Sequence, residues 1–167
     1  MMNRFVCSYK SIGTSPQRFS HLILFSCLVF SLLFSNSLVA ADPCYFNATS
    51  GVNFGQYNVF ATVPNTNGIG NVTIYCKGNP GMVVALSSGQ SNTYSSRVMQ
   101  NGVNQLNYNL YTSSARTNIW GDGSGGSITV VIPGNGTTSL SIFGQIPAGQ
   151  NLPAGTYTDV IIVMIDF

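Results

Sequence analysis

Short stretches in which every second residue is apolar, cut apart by clusters of Gly, Asn, Pro and Ser, govern what this chain can fold into. In "NVTIYC" the residues Val72, Ile74 and Cys76 share one face and Thr73 and Tyr75 the other; in "QLNYNLY" the inner set is Leu106, Tyr108 and Leu110. Side chains alternate sides along a strand, so a period of two marks a strand with one buried face. Further candidates are "VNFGQY" near Val52, "MVVALSS" from Met82, "SITVVI" from Ser127, "SLSIFGQI" from Ser139 and a closing run from Thr156. Turn clusters such as "KGNPG", "SSGQSN", "GDGSGG", "IPGNG" and "IPAGQNLPAG" separate them. About seven short strands with frequent turns and no helical periodicity predict an all-β, antiparallel sandwich.

The closing run, "GTYTDVIIVMIDF", constrains the fold further. Tyr157, Asp159, Ile161, Val163, Ile165 and Phe167 fall on one face, and Thr158, Val160, Ile162, Met164 and Asp166 on the other. Both faces are apolar for much of the length, the pattern of a strand covered on two sides. A long apolar edge is normally guarded by charge, proline or a bulge, because unpaired backbone groups recruit other strands. Here only Asp159 and Asp166 flank the apolar core of the run, and no later segment is expected to pair with its far edge. The pattern leaves two expectations: a mid-sheet strand paired on both sides by earlier segments, or a sheet that takes a strand from another chain.

The N-terminus has a different character. Arg4, Lys10 and Arg18 precede the apolar run "LILFSCLVFSLLF" from Leu22 to Phe34, which is followed by the small residues of "SNSLVAA". Basic, apolar and small-residue regions in that order predict a secretory signal peptide over residues 1–41, cleaved after Ala41, with a single domain over 42–167. This thirteen-residue run, apolar but for Ser26 and Ser31, is at 1.5 Å rise too short for a hydrocarbon core about 30 Å thick, so no membrane span is expected once the signal is removed. Cleavage nearer Asn36 would instead leave "NSLVAADP" ahead of the first cysteine of the domain.

Without the leader the chain is nearly neutral, with Lys77, Arg97 and Arg116 against Asp42, Asp122, Asp159 and Asp166, a net charge of −1. There is no basic footprint for nucleic acid or anionic lipid. The one histidine, His21, lies in the leader and the chain has no glutamate. Ser–His–Asp, Cys–His and histidine-containing zinc sites are therefore excluded, no cofactor or metal is expected, and the chain is not expected to be an enzyme. Two cysteines, Cys44 and Cys76, remain in the exported part. An even pair in an oxidising compartment predicts one disulfide, closing a loop of about 33 residues and stabilising by roughly 3–4 kcal/mol.

Taken in order, Cys44, "FGQY" from Phe54, Cys76 closing a strand, Gly89, "RVM" from Arg97, "LNYNLY" from Leu106, "WG" at Trp120, "GQIPAGQ" from Gly144 and "GTYTD" from Gly155 resemble the spore coat protein U domain, the fold of Csu-type subunits of archaic chaperone–usher pili. The resemblance spans essentially all of Asp42 to Phe167. It implies an immunoglobulin-like sandwich lacking its final strand, which a periplasmic chaperone lends and a neighbouring subunit replaces during assembly at an outer-membrane usher. In that scheme backbone hydrogen bonds supply affinity and alternate side-chain pockets supply register. Tyr157, Ile161, Val163, Ile165 and Phe167 are then the candidates for the wall of the acceptor groove. The implied protein is a structural subunit of a surface pilus, exported through the periplasm and serving attachment and biofilm growth.

One departure from the family pattern stands at the other end. Polymerising subunits carry an arm of about a dozen alternating residues, enough for roughly 40 Å of strand, ahead of the first cysteine. Cleavage after Ala41 leaves only Asp42 and Pro43 there. Such a subunit accepts a strand without giving one, and would sit at a fibre's end. The other readings are a coat or matrix protein of a spore or cyst and, more remotely, a secreted sugar-binding module. Trp120, Arg97 and Asp159 are expected to be packing or locally satisfied residues rather than a binding loop or a functional pair.

Overall fold

The computed structural model describes residues 44–78 and 81–166. These form eight strands, all paired antiparallel, and one three-residue 3-10 turn at Gly89–Ser91. The strands are β1 (Cys44–Asn53), β2 (Ile69–Cys76), β3 (Met82–Leu86), β4 (Arg97–Asn101), β5 (Asn104–Tyr111), β6 (Val130–Ile132), β7 (Gly136–Gln145) and β8 (Val163–Asp166). One sheet runs β1-β2-β7-β5-β4 and the second runs β6-β3-β8. An immunoglobulin constant-type sandwich places its strands A, B, E and D in one sheet and C, F and G in the other. Here β1, β2, β7 and β5 occupy A, B, E and D, while β3 and β8 occupy C and F. The place beside β8 that strand G would take is filled by no described residue.

The alternation read in β2 and β5 is the alternation of burial. Val72, Ile74, Cys76, Leu106, Tyr108 and Leu110 are all buried, and they meet Met82, Val84, Leu86, Ile132 and Val163 of the second sheet in one core. Trp120 is packed inside this core rather than displayed on a loop. Its backbone N–H donates to Leu110 O (2.9 Å) in the first sheet and its indole Nε1 to Val84 O (3.0 Å) in the second. The tryptophan therefore ties the two layers together.

Three expectations from the sequence need correction. The strand expected around "VNFGQY" lies upstream, because the chain leaves the sheet after Asn53 and turns Phe54 into the core. The ring is seated against Gly68 and Gly144, where any Cβ would overlap it. "SITVVI" joins a strand only over Val130–Ile132; Ile128 makes a separate parallel bridge to Trp120, and buried Ser127 closes a turn through its hydroxyl to Ser124 O (2.7 Å). The closing run is not a strand throughout and its outer face is not covered. β8 is four residues long, and Thr158, Val160, Met164 and Asp166 are exposed. The inner set Tyr157, Asp159, Ile161 and Val163 is buried as the period predicts.

Candidate functional site

β8 lies at the edge of its sheet, paired only with β3 among the described residues. This replaces the expectation of a mid-sheet strand. Ser87 N–H donates to Ile162 O (2.9 Å) at the start of the ladder. In an antiparallel pair hydrogen-bonded and non-hydrogen-bonded positions alternate, so Ile162 and Met164 direct their backbone groups at β3. The intervening Ile161, Val163 and Ile165 turn theirs the other way, to the open edge. Among the described residues nothing pairs with this row of N–H and C=O groups, which lies between the two guard aspartates.

At the far end of the first sheet β1 is likewise paired, among the described residues, on one side only, with β2. Directly opposite residues of an antiparallel pair share a face. Phe46 stands opposite Ile74 and Thr49 opposite Val72, and both partners are buried in the core. Yet Phe46 is half-buried and Thr49 exposed, although both belong to the inner face. Leu140, the other neighbour of Val72, and Ile165 on β8 are half-buried as well. A line of inner-face residues is thus covered by no described strand on the side where strand G would run. The chain that follows β1 (Gly55–Val59) and the chain that precedes β8 (Leu152–Tyr157) meet, with Leu106, around a cavity of about 480 Å³. No charged side chain lines it.

Cys44 and Cys76 form the expected disulfide, with an S–S distance of 2.06 Å. They are directly opposite in the β1–β2 ladder, so the bond staples the edge strand β1 to its neighbour. Of the candidate groove residues, Tyr157, Ile161 and Val163 are buried beneath the closing segment and Ile165 is half-buried at its open side; Phe167 lies outside the described residues. The signal peptide and the segment ahead of Cys44 lie outside them too. Phe46, Thr49 and Leu140 were not singled out from the sequence. Register shifts in β1 between Phe46 and Ala48 and between Ser50 and Asn53 break its alternation, which removes the signal that would have marked its inner face.

Arg97 and Asp159 are both buried and each is satisfied locally. The guanidinium donates to Ser87 O (3.0 and 2.8 Å), Trp120 O (2.7 Å) and Asn109 Oδ1 (2.7 Å). Burial pulls its pKa down from the ordinary value, partly offset by the fields of Tyr108, Tyr94, Asp159 and Asp122. The Asp159 carboxylate accepts from the Tyr108 hydroxyl (2.7 Å). Burial first, and Asp159 second, hold the Tyr108 phenol protonated well above its usual range. Asp122 stands apart in an exposed turn, held below the ordinary carboxylate pKa by the hydroxyl and N–H of Ser124. Among the described residues no three His, Cys, Asp or Glu side chains gather where they could hold a metal ion, and no helix is long and apolar enough to cross a membrane.

A chain in a solved structure shares this fold. A chain in the crystal structure of the CsuC–CsuE chaperone–tip adhesion subunit pre-assembly complex, from archaic chaperone–usher Csu pili of Acinetobacter baumannii, superposes with a TM-score of 0.54 at 24% identity, over 74% of this chain and 39% of that one. This chain therefore spans about two-fifths of the length of that solved chain. Protein U of Myxococcus xanthus is 29% identical over 134 residues, which are 75% of this chain and 68% of that protein. The sequence profile of the Spore Coat Protein U domain matches residues 30–164. On that match, which covers most of the chain, the protein belongs to the spore coat protein U domain family.

Proposed function

We propose that this protein is a structural subunit of a surface pilus assembled by the chaperone–usher route, and that the open edge of β8 accepts a strand from a partner chain. The observation that carries the proposal is the inner face: Phe46, Thr49, Leu140 and Ile165 sit on the core side of the sandwich with no described strand over them. An inserted strand would pair with the outward backbone groups of Val163 and Ile165 and lay alternate side chains over these residues, the chemistry of β-strand addition. The cavity at the meeting of the β1 and β8 ends then receives a side chain near one end of that strand. The Csu neighbour is itself captured with a chaperone, which supports a periplasmic chaperone first and another pilus subunit afterwards as donors. The outer-membrane usher, attachment and biofilm growth follow from the same reading.

With the leader cleaved after Ala41, the subunit accepts a strand without donating one, a role at the end of a fibre. Mass spectrometry of the mature N-terminus tests this: Asp42 supports it, and a start several residues earlier overturns it. The family description and the likeness to Protein U favour one second reading, a structural coat protein. Expression tied to sporulation, with no chaperone and usher genes alongside, would select that reading. For the pilus assignment, the exported chain is produced with and without a co-expressed periplasmic chaperone. A stoichiometric, soluble complex is expected with it and self-associated material without it. A stable, chaperone-free monomer would overturn strand acceptance.

A further inference from the structure

The chain entering β8 is not held by a continuous ladder. Thr158 exchanges both backbone hydrogen bonds with Gln100 of β4 (2.8 and 3.0 Å). Four residues later Ile162 is tied to Ser87, beyond the end of β3. Between these two anchor points runs Asp159, only 2% exposed. Its Oδ1 accepts from the N–H groups of Gln90 (3.0 Å) and Val160 (2.7 Å), and its Oδ2 from the Tyr108 hydroxyl (2.7 Å). Gln90 Nε2 also donates to Thr158 O (3.0 Å). Gly89, at φ +66°, lies against the carboxylate so closely that any Cβ would overlap it.

Ser87 completes the second anchor. Its N–H donates to Ile162 O and its Oγ accepts from Ile162 N–H, both at 2.9 Å. Its carbonyl is gripped by Nε and one Nη of Arg97, which is fully buried and further fixed on Asn109 and Trp120. Every side-chain polar atom buried in this cluster has a partner, and fully satisfied buried polar groups are the kind that specify one geometry.

The geometry points to Asp159, Tyr108, Ser87 and Arg97 as positioning residues that hold the free edge of the closing strand in its paired shape while nothing is bound to it. A four-residue strand hydrogen-bonded on one side only is the sort of segment that opens locally before the rest of a domain. An incoming strand that met a frayed edge would first have to order it, and its apparent affinity would fall by the fraction of edge that is competent. Two side-chain anchors on either side of Val160 replace the ladder that the segment lacks. The inference rests on the proposed reading only for what the edge is used for; the clamp itself is a property of the chain alone.

Two variants separate the clamp from general stability. Tyr108→Phe removes one donor to Asp159 without leaving a cavity, and Ser87→Ala removes the acceptor for Ile162 N–H. Hydrogen exchange, resolved by peptide on the freshly refolded exported chain, is compared with binding of a synthetic twelve-residue peptide of alternating valine and threonine. Each lost hydrogen bond in the clamp should speed exchange over residues 158–166 about tenfold, with β2 and β7 unchanged, and weaken the peptide about tenfold. Acceleration spread evenly over all strands, or none in either variant, would overturn the clamp. Selective acceleration in a chain whose parent form binds no peptide would uphold the clamp and overturn strand acceptance.

Discussion

Replacing Arg97 by methionine should cost far more than the loss of one charged residue from a chain this sparsely charged would suggest. The guanidinium is 0% exposed and supplies the hydrogen bonds to Ser87 O, Trp120 O and Asn109 Oδ1. Methionine fills much of the volume but donates nothing, so three buried acceptors lose the donor that faces them. Asn109 Oδ1 keeps the N–H of Leu110 (3.0 Å), so two acceptors are left unsatisfied, and at about 1–3 kcal/mol for each the sum is about 2 kcal/mol at the low end. With urea slopes of roughly 1–3 kcal/mol per M for small domains, the unfolding midpoint should fall by about 1 M or more. Arg116 provides the internal control. It too donates to backbone carbonyls, of Thr66 (2.6 Å), Ser114 (2.8 Å) and Gly144 (3.3 Å), but it is only half-buried. Water can replace it, so Arg116→Met should cost within about 1 kcal/mol. The assay is urea unfolding followed by the fluorescence of Trp120, the single tryptophan, with circular dichroism in parallel. Equal losses at the two positions, or an Arg97→Met loss below about 1 kcal/mol, would refute the argument from buried acceptors.

Opening the Cys44–Cys76 staple with a double serine variant should lower stability by roughly 3–4 kcal/mol, read as the urea midpoint, and should raise exchange in β1 before β7. Gly144→Ala should cost about 1–3 kcal/mol by overpacking, because the new methyl overlaps the Phe54 ring; adding Phe54→Leu should recover part of the loss. The Tyr94 phenol is pushed up to about 12 by burial and then by its hydrogen bond to Asp122. Its proton leaves the unfolded chain first as pH rises past about 10, so the stability it confers is complete below pH 10 and declines as pH climbs towards 12. Asp122→Asn should bring the Tyr94 midpoint down in an ultraviolet titration while leaving it above 10, since burial is the larger cause.

Much of the scaffold was legible because the strands that form its centre obey the simplest rule. β2 and β5 have one face in the core and one outside, so a period of two reads directly as burial at Val72, Ile74, Leu106, Tyr108 and Leu110. The cysteine pair was legible for a different reason, the redox logic of an exported domain. The edges were not. β1 carries two register shifts, and a shift of one residue turns side chains to the opposite face, which hid Phe46 and Thr49. The closing run misled in the other direction. Val160, Ile162 and Met164 suggested a covered outer face, yet Val160 and Met164 face solvent, since a folded surface always retains some apolar residues. Nor could a lone arginine within "SSRVMQNG" announce itself as a core residue: its place depends on carbonyls from Ser87 and Trp120, segments brought together only by the fold.

The central claim is that the free edge of β8 and the uncovered inner side of β1 bound a slot for a strand from another chain. It is tested most directly by a high-resolution structure of the exported chain isolated with its periplasmic chaperone. The account predicts a partner strand hydrogen-bonded to the outward N–H and C=O groups of Val163 and Ile165, its alternate side chains covering Phe46, Thr49 and Leu140. A complex that leaves this edge bare, or an edge already paired by residues of this same chain, would contradict it.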